Sequence, residues 1–244
     1  MTLPNIIKLN AISSTNDYLN KKYKSSSCKD GDVIWAKEQT RGKGQREKRW
    51  LSQKGKSLTI SIYKEFDQFK VCNSFILNAK ISLSIVKTLN IIGLKEVRIK
   101  WPNDIMSGNK KIGGVLIENF IKSEFIDSTI IGIGLNINED KFKDLPNATS
   151  LFLEINQKFK LKNILSILLK ELFNSFNLSK NKKNSILKMY TSYLWKLNTL
   201  NNFKQKNTQF KAKVKGVNLS GNLILEMCDG SISDFNSNEI TMIY

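Results

Sequence analysis

Histidine is absent from all 244 residues of the chain. That single absence removes Ser-His-Asp and Cys-His nucleophilic systems, HExxH metalloproteases and most transition-metal sites. Any chemistry here runs on Lys, Arg, Asp, Glu, hydroxyls, amides and backbone groups. Cysteine is scarce: Cys28, Cys72 and Cys228 lie far apart with no CxxC pair. Such spacing fits neither a zinc site nor a disulfide framework, and it suits a reducing cytoplasm, the expected location. No apolar run approaches the roughly 20 residues of a membrane span. The start, Met-Thr-Leu-Pro-Asn, lacks the charged opening and apolar stretch of a signal peptide. No membrane association is expected.

Arginine is also rare, with four residues among 39 basic ones. The net charge of +18 is therefore carried by lysine spread over most of the chain. Asn and Ile are abundant too, as an AT-rich genome would favour. A diffuse lysine surface reads as solvated coating, with steering of an acidic partner as its functional alternative. A nucleic-acid-binding module would interleave aromatics with the basic residues, whereas here the aromatics mostly hold apolar positions, so no DNA partner is expected. The 41% hydrophobic content is ordinary for a globular protein. A chain of this length buries roughly 70–75% of its unfolded surface, enough for one substantial core and a small second one.

Periodicity places a short helix around Thr15–Tyr23, with Ser13, Ser14 and Thr15 as caps, and strands at Asp32–Lys37 and Ser57–Tyr63. Asn73–Ile92 carries apolar residues at spacings of three and four and is closed by Gly93, which predicts a helix. Val97–Trp101 reads as a strand stopped by Pro102, and Gly114–Phe120 and Thr129–Ile137 as two more, the latter a near-continuous apolar run. Helices are expected near Lys162–Leu178 and Asn184–Leu197. From Asn207 to Ile243 short strands alternate with turns, and Cys-Asp-Gly-Ser marks a hairpin. The pattern predicts a mixed α/β domain over 1–200 and a small β-barrel or meander over 201–244.

Two segments carry the chemical signal. Gln39-Thr-Arg-Gly-Lys-Gly-Gln-Arg-Glu-Lys-Arg-Trp50 holds three of the four arginines within nine residues. Guanidinium offers a planar bidentate donor set suited to phosphate or carboxylate, and Gly42 and Gly44 let backbone N–H groups approach an anion. The plain alternative is a solvated basic turn. The stretch is no Walker loop, because Trp50 stands where the first glycine of Gly55-Lys56-Ser57 would be needed, and Gly132-Ile-Gly134 lacks the third glycine of a dinucleotide fingerprint. The second segment is Lys100-Trp-Pro-Asn-Asp104, followed by Lys111-Ile-Gly-Gly-Val-Leu-Ile-Glu118. It sets an amide and a carboxylate at an exposed corner near Lys111, which is either a site residue or a solvent lysine. Asn136, polar at the end of a buried strand, serves a ligand or its own backbone.

In order and spacing, these blocks resemble the biotin protein ligase family. They are Ser14-Thr15-Asn16, Gln39…Gly-Lys-Gly-Gln-Arg…Trp50, Lys100-Trp-Pro-Asn-Asp with Lys111-Ile-Gly-Gly, and Gly-Ile-Gly-Leu-Asn136-Ile-Asn. The resemblance runs over essentially the whole chain. It implies a class II aminoacyl-tRNA synthetase-like catalytic domain (a mixed sheet with flanking helices) and an SH3-like C-terminal barrel. The helix-turn-helix of regulatory members is not expected, since the blocks begin by residue 14. The implied reaction joins biotin to ATP as biotinyl-5′-AMP, with Mg2+ arriving on ATP and no protein-borne metal site. The biotinyl group then passes to a lysine of a biotin carboxyl carrier protein. A monomer or homodimer is expected. A lipoate ligase or lipoyl transferase shares the fold and a central lysine, but the Lys-Trp-Pro-Asn-Asp corner and the Gly-Lys-Gly-Gln-Arg loop favour biotin.

Carried over by position, the resemblance assigns Ser14, Thr15, Asn16 and Gln39 to the biotin head group. Lys43, Gly44 and Gln45 become the closing loop, and Lys111 the contact to both carboxylate and phosphate. Asn103 and Asp104 fall beside the reacting centre, and Lys100, Arg46, Trp50 and Asn136 near the adenylate. Lys43 and Gln45 stand where the family often has arginine, and Glu47 where it often has glycine. Lys43 keeps the charge without the fork, and Gln45 loses a charge. Glu47 either pairs with Arg46 or Arg49 or faces water.

Overall fold

The computed structural model describes residues 4–46, 48–143, 145–177 and 182–243. In chain order the elements are β1 (Asn5–Leu9), α1 (Thr15–Lys24), β2 (Asp32–Ala36), β3 (Ser57–Lys70), α2 (Ser74–Ile92), β4 (Val97–Lys100), β5 (Asp104–Ser107), β6 (Lys110–Lys122) and β7 (Phe125–Asn136). Then follow α3 (Leu151–Ile155), α4 (Leu161–Phe176), α5 (Lys183–Ser192), β8 (Leu200–Gln205), β9 (Thr208–Val217), β10 (Leu223–Met227), β11 (Ile232–Phe235) and β12 (Ile240–Met242).

Seven strands pair in the order β1-β2-β3-β7-β6-β5-β4, with β1 parallel to β2 and every other pairing antiparallel. This is the mixed sheet that was expected. Its two faces differ because successive side chains on a strand point to opposite sides. Leu58, Ile60 and Ile62 of β3 and Ile131, Ile133 and Leu135 of β7 enter the main core, against α2, α4 and α5. Ser57, Thr59 and Ser61, with Gly132, Gly134 and Asn136, fall on the other face. Among the described helices α1 alone covers that face, through a small cluster of Leu19, Ile34, Tyr63 and Ile130. The run read as continuously apolar is thus apolar on one side and nearly bare on the other.

Several expected spans shift. β3 runs on to Lys70 across an irregularity in its pairing with β7, and α5 stops at Ser192, short of Leu197. The last residue of the expected helix Lys162–Leu178 lies outside the described residues, as does Glu47. One exclusion needs correcting. Val71–Ile92 spans 22 residues at a mean hydropathy of 1.4, so by length and composition it does match a membrane span. Its apolar character comes from packing on several sides, since α2 lies between the sheet, α4 and α5 and 67% of that window is buried.

The second sheet, β11-β10-β9-β8-β12, is antiparallel throughout, and Cys228–Ser231 form the expected β10–β11 turn. It begins at Leu200, seven residues before the first strand signal read in the sequence. Phe203, Val214 and Leu225 share one continuous core with α2 and α5. The joint is also polar, with Trp101 Nε1 donating to Gly221 O at 2.8 Å.

Candidate active site

Two rows of residues cross the central strands on the thinly covered face: Ser61–Gly132–Leu116 and Thr59–Gly134–Gly114. Both rows place glycine on β7, which leaves a trough. A Cβ at Gly132 would collide with the Asn16 amide, and one at Gly134 with the Trp50 indole. Glycine is therefore required at both positions for these side chains to lie on the sheet.

The first turn of α1 roofs one end of the trough. Ser14 caps that helix, its hydroxyl accepting from Asp17 N at 3.4 Å, which points Thr15 and Asn16 inward, where both are buried. Thr15 donates through N and Oγ1 to Gln39 Oε1, at 2.8 and 3.0 Å. Ser61 Oγ lies 2.6 Å from Thr15 Oγ1 and 2.5 Å from Asn16 Oδ1. Asn16 Nδ2 donates to Glu118 Oε2 at 2.5 Å. This floor is rich in acceptors. Three oxygen–oxygen contacts link Asn16, Ser61, Thr15 and Gln39, and the two hydroxyls supply two protons among them.

At the other end the trough is cationic. Lys111 Nζ sits 2.5 Å from Asp104 Oδ1 and 5.8 Å from the Trp50 ring centre. Lys100, paired across the β4–β5 turn with Asp104, is buried enough that desolvation lowers its ammonium to about 8. Asp104 opposes that shift, and Lys111 and Lys48 add to it. Asn103 spends its amide on Val115 O at 2.5 Å and accepts from Val115 N through its own carbonyl, so it pins the corner to β6. Tyr190 Oη and Asn78 Nδ2 hold the same turn, donating to Pro102 O at 2.8 and 2.7 Å.

The glycine-bearing loop folds back on itself over the trough. Gly44 N donates to Lys48 O and Trp50 N to Gly42 O, at 2.7 and 2.9 Å. Lys43 reaches Asp17 at 2.5 Å, a hydrogen bond that raises its ammonium above the usual range. The excess of positive charge on this loop is thus partly balanced by an acid on α1.

The resulting cavity holds about 330 Å3. Its lining takes in Ser14, Thr15, Asn16, Gln39, Lys43, Gly44, Gln45, Arg46, Trp50, Lys100, Asn103, Asp104 and Lys111. Among the residues that the resemblance assigns to the ligands, Asn136 alone is not on this lining. It borders an adjoining space of about 270 Å3, which shares Arg49, Trp50, Lys111 and Leu145 with the first, while its amide donates to Thr149 O at 3.0 Å. Both readings of Asn136 thus keep an observation behind them. Sequence reasoning missed Ser61, Glu118 and the C-terminal residues Ser237, Thr241 and Met242, which reach the cavity from the second sheet. Alternation along Ser57–Tyr63 was the available signal for Ser61. Nothing local marks Glu118, whose partner Asn16 lies 102 positions away.

The chain belongs to the biotin/lipoate A/B protein ligase family, whose model matches residues 9–136, just over half of its length. Among particular proteins, it is similar to the bifunctional ligase/repressor BirA of Salmonella typhimurium, with 32% identity over 133 residues covering 54% of this chain and 41% of that protein. It is also similar to BirA of Bacillus spizizenii, with 26% identity over 232 residues covering 92% and 70%. The solved structure of the biotin protein ligase from Aquifex aeolicus in complex with biotin and ATP superposes with a TM-score of 0.82 at 25% identity, over 99% of each chain. The chain spans about two fifths of the length of the Salmonella relative.

Proposed function

We propose that this chain is an ATP-dependent biotin protein ligase, which forms biotinyl-5′-AMP and passes the biotinyl group to a lysine of a carrier protein such as a carboxylase subunit. One observation carries this reading: the cavity joins an acceptor-rich polar floor to a cationic mouth. A cyclic urea brings two N–H donors to a floor that is short of protons. A dithiolane, the lipoate head, brings none and would leave buried acceptors unpaired at a cost of roughly 1–3 kcal/mol each. The cationic end suits the meeting of a carboxylate with a polyphosphate, where two anions must be brought together.

In the first step a carboxylate oxygen of biotin bonds to the α-phosphorus. The bond from that phosphorus to the bridging oxygen breaks, and pyrophosphate leaves with the electron pair. Lys111, Lys100 and the loop residues Lys43 and Arg46 gather positive charge there, and each well-placed donor to developing charge contributes about 3–4 kcal/mol. In the second step the acceptor amine bonds to the carbonyl carbon. The carbon–oxygen bond to phosphate breaks, AMP leaves and the nitrogen sheds a proton to water. No covalent enzyme intermediate is required, so the lack of histidine costs nothing. MgATP enters as a substrate, and Asp104 is the one carboxylate on the cavity lining among the described residues.

In this reading Ser14, Thr15, Asn16 and Gln39 take the head group, Gly44 and Gln45 close over it, and Trp50 and Asn136 flank the adenylate. Trp50 Nε1 is buried without a protein partner, which suits a ligand acceptor. Asn103 and Asp104 hold the reacting corner, Asn103 through backbone. Residues 1–200 carry the chemistry, and 201–244 wall its mouth. The three free cysteines suit a reducing cytoplasm. The test is incubation with MgATP and either biotin or lipoate, followed by mass analysis. Biotinyl-AMP is the expected product, and lipoyl-AMP without biotinyl-AMP would overturn the reading.

A further inference from the structure

Glu118 stands behind the polar floor, off the cavity lining, on the β6 face that looks toward α1. Its carboxylate accepts from Asn16 Nδ2 at 2.5 Å and from Asn20 Nδ2 at 3.3 Å. Asn16 is 3% exposed, and its other amide atom, Oδ1, touches Ser61 Oγ. We infer that Glu118 is a positioning residue that sets the hydrogen-bond polarity of the floor, and so selects a ligand head that donates N–H groups. The inference rests on the biotin reading and names the residue that enforces it.

An ionised carboxylate only accepts, so Asn16 must turn Nδ2 toward Glu118 and Oδ1 toward Ser61. At the far end Gln39 Oε1 is held as an acceptor by Thr15 N, at 2.8 Å. The chain Asn16–Ser61–Thr15–Gln39 is therefore bounded by acceptors at both ends, with two hydroxyl protons for its three contacts. Lone pairs are in surplus, and a donor ligand is what the floor lacks. Rotating the Asn16 amide by half a turn removes the surplus. Asn16 Nδ2 then donates to Ser61, Ser61 to Thr15 and Thr15 to Gln39, which satisfies every contact without a ligand. Facing a carboxylate, that arrangement would set Asn16 Oδ1 against Glu118 Oε2, two acceptors in contact, so Glu118 forbids it. Glu118 also attracts Lys43 through space, tying the loop to the same point.

The test is biotin binding and steady-state kinetics on three purified variants of the full chain. Glu118→Gln keeps shape but allows Asn16 to rotate, so biotin Kd and KM should rise about 10–100-fold, the range for losing hydrogen bonds to a buried polar group. The ATP KM and the kcat at saturating biotin should stay within about threefold. In the double variant Asn16→Asp/Glu118→Gln, the carboxylate moves to the floor and the amide behind it, which restores an obligatory acceptor facing Ser61. Biotin affinity should then recover to within about fivefold of wild type, whereas Asn16→Asp alone, with two carboxylates facing, should not recover. A role in packing alone predicts no rescue by the swap. Wild-type affinity in Glu118→Gln, or a double variant no tighter than the single one, would overturn the inference while leaving the enzyme reading standing. A wild-type chain that fails to bind biotin would overturn both.

Discussion

The arrangement at Lys111 supports the proposal that a lone lysine at a strand start serves the site. Gly114 leaves room for its side chain, and Asp104 holds its ammonium at 2.5 Å, beside the trough. Lys111→Ala should slow adenylate formation by about 10²–10³-fold, the usual loss for one donor to developing charge, with the fold intact by circular dichroism. Near-normal single-turnover rates would return Lys111 to solvent duty. Lys100 gives a pH signature. Burial lowers its ammonium from 10.5 to about 8, so between those values the unfolded chain binds more protons than the folded one. Stability contributed by this group therefore rises with pH through that window, and below it the buried charge is a constant cost. For the empty site the same titration removes a positive charge above pH 8. The ATP KM should climb there, and Lys100→Arg, which cannot deprotonate, should flatten the climb. An identical alkaline limb in that variant would assign it elsewhere.

The helices and central strands were legible because their apolar residues repeat at periods of 3.6 and 2 over long stretches, as in Asn73–Ile92 and Ser57–Tyr63. The elements that escaped lack such a stretch. β1 is a largely exposed edge with a proline just before it, β12 has three residues, and β5 reads as the tail of a turn. Of the site, the blocks were legible and their joining was not. Nothing local announces that Gly132 lies under Asn16 or that Gly134 lies under Trp50. The Gln39–Trp50 loop belongs to this scale too. Its described cations, Arg41, Lys43, Arg46, Lys48 and Arg49, are held by a small hairpin and the Asp17 pair, and an isolated two-stranded hairpin is marginal in water. Amide exchange over 41–49 should slow by at least about tenfold when biotin and ATP are both present, as the adenylate supplies the missing negative charge. Equal protection with and without ligands would make the loop a rigid turn.

For the whole molecule, one core running from the seven-stranded sheet through α2 and α5 into Phe203, Val214 and Leu225 means that the two sheets stabilise each other. Calorimetry should show a single cooperative transition for the chain, and two separated transitions would mean that the C-terminal sheet folds as an independent unit. The shared core also explains how Ser237, Thr241 and Met242 stay at the cavity, a placement that no loosely tethered domain would keep. The lysine-rich surface remains spread out, and the useful positive charge is the part concentrated at the mouth by Lys100, Lys111 and the loop. We propose that an acceptor-rich floor backed by Glu118 chooses the acid that is activated. Titration calorimetry of the wild-type chain with biotin and with lipoate tests it most directly. Biotin should bind at least about 100-fold tighter, the gap expected when two or more buried acceptors go unpaired, and lipoate binding as tightly as biotin would contradict this role of the floor.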